Sequence, residues 1–506
     1  MTTATINEQV VRDVVQEVLS QLRGAGAAGA TAAPAVSAPP IGASSPITAR
    51  PTSVPAAAAA GTPSQAASGR WGIFADVNEA VAAAKVAQGW LVEQTIATRA
   101  QVVQIIRDVV RSRIQELGQM ELDETKIGRL DHKFDKLELI VSHVSGTEFL
   151  SSEAYSGDAG LTVVEHAPYG VLGVITPVTH VIPTMCCNAL QMIAAGNSMV
   201  INPHPGGIQT AVYITRLWNQ AIHEKLGVDN LICVMEKPTL ETADAIFTHP
   251  DIAMLCVTGG AGVANAAMSS KKKAVVAGPG NPPVVVDETA DIDRAAVKII
   301  QGAAYDNNLL CVAEKQVFAV SSIFDQLMDA MSRHGGYRLT REQMDALGKT
   351  CFISKNGSNG GHLILNREVV GKDPEALGAM IGVSVPPGTQ MLYGETGADH
   401  VLVQHEQMTT VIPLVRCGNV DEAIALAKTS EHGFGHTCIM HSMNVANLTK
   451  MGREMNTSLF FKNGATNEGE GFISYSIATP TGEGPTSPLT FTRVRRCIMI
   501  GHLRII

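Results

Sequence analysis

Between Gly170 and Thr258 short apolar runs alternate with helical patterns, and no other feature of the chain constrains its fold so tightly. The runs Gly170–Ile175, Ser198–Asn202, Leu231–Val234 and Met254–Thr258 carry no charged residue, and helical patterns at Ile182–Ala195, Gln209–Lys225 and Glu241–Phe247 separate them. Such alternation predicts a parallel, doubly wound α/β sheet with ligands outside the strand C-terminal ends. A second run of this kind extends from Gln316 to about Asn419, and a helix is expected at Asp421–Lys428. Upstream, residues 76–120 and Leu130–Val144 repeat apolar residues at helical spacing.

A chain of 506 residues, 45 % of them apolar, is too long for one compact core and predicts at least two domains. The net charge of −9 comes without a concentrated basic face, which argues against nucleic acid or an anionic membrane as main partner. No window has the roughly 20 apolar residues of a membrane helix, and the N-terminus lacks the pattern of a secretory signal. Nine cysteines without zinc or dithiol spacing predict no metal site and fit a reducing cytoplasm.

The first 69 residues are of a different kind. Residues 5–22 read as an amphipathic helix, with Thr5 and Glu8 at capping-box spacing and Gly24 as the stop. Residues 24–69 are almost wholly Ala, Gly, Pro, Ser and Thr, a composition that cannot bury enough surface to fold. As a flexible linker they would span about 40 Å on average. A helix this short is marginal alone, so a long tether points to docking in the groove of a partner.

Among the cysteines, Cys311 has a distinctive setting. Asn307 and Asn308 precede it, Glu314 and Lys315 follow it, and the strand-like Gln316–Val320 comes next. A cysteine between a loop or helix end and a strand can have its thiolate stabilised by backbone N–H groups, so Cys311 is the candidate nucleophile. The alternative for any single cysteine is a buried small hydrophobe.

Several stretches together resemble the aldehyde dehydrogenase superfamily over residues 71–506. They are Ala167–Pro177, Ala194–Ser198, Val257–Gly260, Gly278–Pro283 and Asn307–Cys311, in matching order and spacing. The resemblance implies a Rossmann-like cofactor domain at 70–300, an α/β catalytic domain at 301–480 and a C-terminal oligomerisation strand at 481–506. It also implies an arm segment at about 151–170, exchanged in a homodimer or tetramer. In that family a cysteine attacks the aldehyde, hydride passes to nicotinamide, and a thioester remains on the enzyme; Cys311 matches that cysteine. The implied cofactor-binding set is Thr176, Pro177, Pro203, His204, Thr258, Gly259, Gly260, Val263, Gly280 and Glu406, with NAD as cofactor and the NAD or NADP preference open.

Departures from the general pattern resemble the CoA-acylating branch. Hydrolytic members carry a water-activating glutamate where this chain has Ala277. Without it the thioester should await a thiol such as coenzyme A. Asn202–Pro203–His204–Pro205 and Gly482–Ser487 also resemble the acylating branch. His436 is implied as a residue that orients or deprotonates the CoA thiol. The usual oxyanion-hole amide is replaced by Thr179 or His180, with the Cys311 N–H as a further donor. The helix at 5–22 with its linker is similar to the encapsulation peptides of bacterial microcompartment enzymes, which implies a shell protein as partner and the microcompartment lumen as location. The rival expectations are a hydrolytic aldehyde dehydrogenase and a non-catalytic shell-binding scaffold.

Overall fold

The computed structural model describes residues 70–355, 362–468 and 474–504. The helix at 5–22 and the linker at 24–69 lie outside the described residues. From Arg70 onward the chain builds two parallel sheets and one antiparallel sheet that concern the site.

The alternating apolar runs form the first sheet. Its six strands lie in the order Ile73–Phe74, Ile232–Met235, Ser198–Pro203, Val171–Thr176, Ile252–Thr258 and Lys273–Ala277, all parallel. Side chains alternate between two cores. Leu172, Val174, Met199 and Ile201 pack on the face covered by the wholly buried helix Val181–Ala194, while Val171, Ile175, Val200 and Leu255 fill the other. Cover on both faces explains why these strands read as continuous apolar runs. The region read as helical upstream becomes four helices, Val77–Val92, Ile96–Arg111, Ile114–Thr125 and Leu130–His143.

The second sheet has seven parallel strands in the order Gly336–Arg338, Met391–Thr396, Val411–Cys417, Gln316–Val320, Pro283–Val286, Thr437–His441 and Leu459–Lys462. It begins upstream of residue 301. Val284 to Val286 pair with Val317 to Ala319 on one side and with Ile439 to His441 on the other, so Gly278–Pro282 is the crossing between sheets. Strand partners of such long sequence separation decide sheet membership, and a linear reading does not contain them.

A third sheet is antiparallel. Glu153–Gly157 and Gly160–Pro168 form a hairpin, and Thr492–Ile500 lies along its second strand with Thr492 opposite Pro168 and Ile500 opposite Gly160. From Arg493 onward this last strand is exposed.

Candidate active site

The two parallel sheets bring opposite edges together. Thr176, Pro203 and Thr258 close strands of the first sheet at their C-terminal ends. Gly280, Cys311, Glu406 and His436 all stand just before strands of the second sheet, at its N-terminal edge. The candidate residues thus stand at strand C-terminal ends in the first sheet and at strand N-terminal ends in the second. The reason lies in Gly278–Pro282, which leaves the end of Lys273–Ala277 and at once enters the start of Pro283–Val286. His180, just beyond the first-sheet strand Val171–Thr176, reaches across to within 3.8 Å of Asp306 in the cysteine loop.

That loop joins helix Ile292–Ala304 to strand Gln316–Val320 and has an unusual backbone. Asp306, Asn307 and Asn308 all adopt left-handed conformations, with φ of 48°, 55° and 64°. Each such residue costs roughly 1–2 kcal/mol, least for Asn and Asp, so the loop needs outside support. Asn307 Nδ2 donates to Gly371 O at 2.9 Å and to Asp373 Oδ1 at 2.8 Å. Asn308 Nδ2 donates to Ala303 O at 2.8 Å and Glu314 O at 2.9 Å, which closes the loop on itself. Asp306 is fully buried and forms an ion pair with Lys136.

Cys311 is partly exposed at the tip of this support. Burial pushes its thiol up to about 12; the Glu406 carboxylate adds to the rise, and Lys315 together with the Cys311 and Val312 N–H groups opposes it. Glu314 and Lys315 point to different partners. The buried Glu314 carboxylate accepts from Thr466 N at 3.0 Å and Thr466 Oγ1 at 2.7 Å, and burial raises it to about 7. Lys315 Nζ donates to Asn308 O at 2.8 Å and Asn308 Oδ1 at 2.6 Å, with Glu406 Oε1 at 3.8 Å. Burial lowers the lysine, and Glu406 counters this.

His436 completes the group. Its N–H donates to Glu431 Oε1 at 2.8 Å, its Nδ1 lies 2.9 Å from Thr437 Oγ1, and its buried Nε2 has no hydrogen bond. Burial, aided by Lys315, lowers it to about 4, so it is neutral at physiological pH. Gly280 is wedged here: a Cβ would stand 2.5 Å from Cys311 O and 3.1 Å from His436 Cγ. Gly280 therefore packs against the Cys311 carbonyl and the His436 ring, while Thr179 lies in the half-buried turn before helix Val181–Ala194.

Most residues assigned to cofactor binding lie along the first sheet, whereas Gly280 and Glu406 stand at the edge of the second. Gly260 caps helix Ala261–Ser269 without a side-chain hydrogen bond, and a Cβ on Gly260 or Gly262 would meet nothing within 4 Å. Exposed N–H groups in open space at a helix start suit a pyrophosphate. Val263 stands in the first turn of that helix, and Thr258 Oγ1 lies 3.1 Å from Ser476 Oγ. Thr176 Oγ1 is buried without a partner, and Pro177 follows it half-buried. Glu406 Oε1 likewise has no hydrogen bond, which leaves an acceptor for a hydroxyl such as a ribose offers. Exposed His204 spends Nδ1 on the Gly206 N–H at 3.0 Å, next to buried Pro203. Asn202 binds Thr239 O at 3.3 Å and Thr242 Oγ1 at 2.7 Å. These residues fit a dinucleotide. Ala277 presents only a methyl group, and its carbonyl accepts the Gly259 N–H at 3.2 Å.

Asp306 and Lys136 escaped the sequence reading. The Asp-Asn-Asn triplet, three residue types that tolerate left-handed backbone, was the available signal for the loop conformation. Lys136 gave none, because a lysine in a helical pattern reads as surface.

Comparison with known proteins agrees with this geometry. The profile described as aldehyde dehydrogenase family matches residues 64–346. An acetaldehyde dehydrogenase (acetylating), EutE, of Salmonella typhimurium is 42 % identical over 441 residues, covering 86 % of this chain and 94 % of the relative. A propionaldehyde dehydrogenase of Rhodopseudomonas palustris, solved with bound CoA and an acylated cysteine, superposes with a TM-score of 0.81 at 40 % identity, over 85 % of this chain and 98 % of that one. A propionaldehyde dehydrogenase from the fucose utilisation bacterial microcompartment of Clostridium phytofermentans gives 0.82 at 39 %, over 86 % and 100 %. With the profile spanning more than half its length and relatives of about 40 % identity matched almost end to end, the chain belongs to the aldehyde dehydrogenase family.

Proposed function

We propose that this chain is a CoA-acylating aldehyde dehydrogenase that oxidises a short aldehyde, acetaldehyde or propionaldehyde, with NAD and passes the acyl group to coenzyme A. One observation carries the choice over hydrolysis: the Ala277 methyl group stands where a water-activating carboxylate would be needed. The similarity to acetylating and propionaldehyde dehydrogenases supports it.

Cys311 gives up its thiol proton to solvent, and the thiolate sulfur attacks the aldehyde carbonyl carbon. The oxygen that gains charge is met by the Cys311 N–H, with Thr179 or His180 as the further donor. Bound nicotinamide supplies the hydride acceptor, and the residues that would hold it are Thr258, Gly259, Gly260 and Glu406. Loss of hydride leaves a thioester on Cys311. The thiol of coenzyme A then attacks that acyl carbon, the Cys311 sulfur leaves, and neutral His436, with Nε2 open, accepts the thiol proton. The missing base at Ala277 keeps water from competing.

Rapid mixing with NAD and propionaldehyde, without CoA, should give one NADH per subunit and then stop until CoA is added. Free acid formed at the same rate without CoA would overturn the assignment, and a burst that survives Cys311→Ala would remove the cysteine from it.

Two broader readings belong here. Residues 5–22 on their 24–69 tether serve to deliver the enzyme to a microcompartment shell protein, a reading supported by the microcompartment origin of one structural relative. The antiparallel sheet of Glu153–Pro168 with Thr492–Ile500 serves a second copy of the chain, because Tyr155, Val494, Ile498 and Ile500 stand exposed on it at 60 %, 58 %, 64 % and 89 %.

A further inference from the structure

Buried charge that acyl transfer does not use anchors the Cys311 loop. Three groups along one stretch meet Asp306. Lys136 forms its ion pair, the Arg129 N–H donates to Asp306 Oδ1 at 3.0 Å, and His132 Nδ1 accepts from the Asp306 N–H at 2.9 Å. Lys136 and His132 lie on helix Leu130–His143, and Arg129 caps it. The same helix also reaches the start of helix Val181–Ala194 through Glu121. Lys133 Nζ donates to Glu121 Oε1 at 3.0 Å, and Glu121 Oε2 accepts from the Ile182 N–H at 3.0 Å, directly after the Thr179–His180 turn. Lys133, Lys136, Glu121 and Asp306 are each at most 2 % exposed. Charges so deeply buried are weak evidence of stability, whereas three successive left-handed residues need an external constraint.

We propose that helix Leu130–His143 is a positioning element: through Lys136 on Asp306 and Lys133 on Glu121, it fixes the Cys311 loop relative to the Thr179–His180 turn. Lys136 is a positioning residue that touches no reacting atom. The inference rests on Cys311 as the nucleophile.

The double substitution Lys136→Met with Asp306→Asn tests this, because it removes both charges together and Asn tolerates the left-handed backbone. The kcat for propionyl-CoA formation should fall about 10²-fold with KM for NAD and CoA within about twofold, the pattern of a displaced reacting group. Alkylation of Cys311 by iodoacetamide, followed by mass spectrometry, should slow while the buried Cys186, Cys187, Cys233 and Cys256 stay unlabelled. Lys133→Met with Glu121→Gln is an independent variant with the same expectation. Parent kcat and parent labelling in both variants would overturn the proposal. So would lost activity accompanied by labelling of the buried cysteines, since the pairs would then serve only general stability. The alkylation arm needs no aldehyde chemistry, so it tests the clamp even if the parent makes no acyl-CoA.

Discussion

Cys311 in the ligand-free enzyme is a thiol, because burial and the facing Glu406 carboxylate outweigh Lys315 and two backbone N–H groups and hold it up at about 12. Alkylation requires the thiolate, so the iodoacetamide rate of the ligand-free enzyme should climb steadily from pH 7 to about 10. A plateau below pH 9 would mean that the cation wins. Glu314 offers a second titration. Its folded-state value near 7 lies above the ordinary 4.5, so the folded protein binds the extra proton between those two values. Its contribution is therefore greatest below about pH 4.5 and is lost as pH rises towards 7. Chemical denaturation should show Glu314→Gln losing part of that pH slope. His436 stays neutral down to about pH 4, so His436→Ala should lower the CoA-dependent step and leave the first NADH burst unchanged.

Loop and helix geometry decide how the nucleophile is presented. The left-handed triplet can be tested through its last member, since glycine accepts φ of 64° and alanine does not. Both Asn308→Gly and Asn308→Ala lose the amide hydrogen bonds, so their difference isolates backbone strain, and Asn308→Ala should be less stable by about 1 kcal/mol in urea unfolding. Equal stabilities would locate the asparagine's role in its hydrogen bonds alone. At the end of strand Lys273–Ala277, Ala277→Glu should raise acid release without CoA above the parent level. The strands and helices from Gly170 to Thr258 were legible in the sequence because burial on both faces imposes a continuous apolar pattern. The Asp306 anchors were not, because they join residues about 170 positions apart in the chain.

At the scale of the whole molecule, two parallel sheets bring opposed edges together, and the antiparallel sheet adds a strand on which Val494, Ile498 and Ile500 stand exposed. Placing lysines at Val494 and Ile498 should shift the enzyme towards monomer in sedimentation, since charge on such a strand opposes pairing with another copy. An unchanged oligomer would move the interface elsewhere. Removal of residues 1–69 should leave NADH formation intact and abolish co-sedimentation with shells; lost activity would count against a delivery role.

Residue order alone carries the alternation of strands and helices, the place of Cys311 in a loop before a strand, the absence of a carboxylate at position 277, and the aldehyde dehydrogenase family. Each is a property of neighbouring residues or of a motif read in order. Distant pairing was needed to show that Pro283–Val286 joins the second sheet, and that Gly280, Cys311, Glu406 and His436 all stand before its strands. The tertiary structure alone turned Lys136 from an apparent surface residue into the buried partner of Asp306. Those facts depend on which distant segments pair and on where water is excluded. No local pattern of residue types records either.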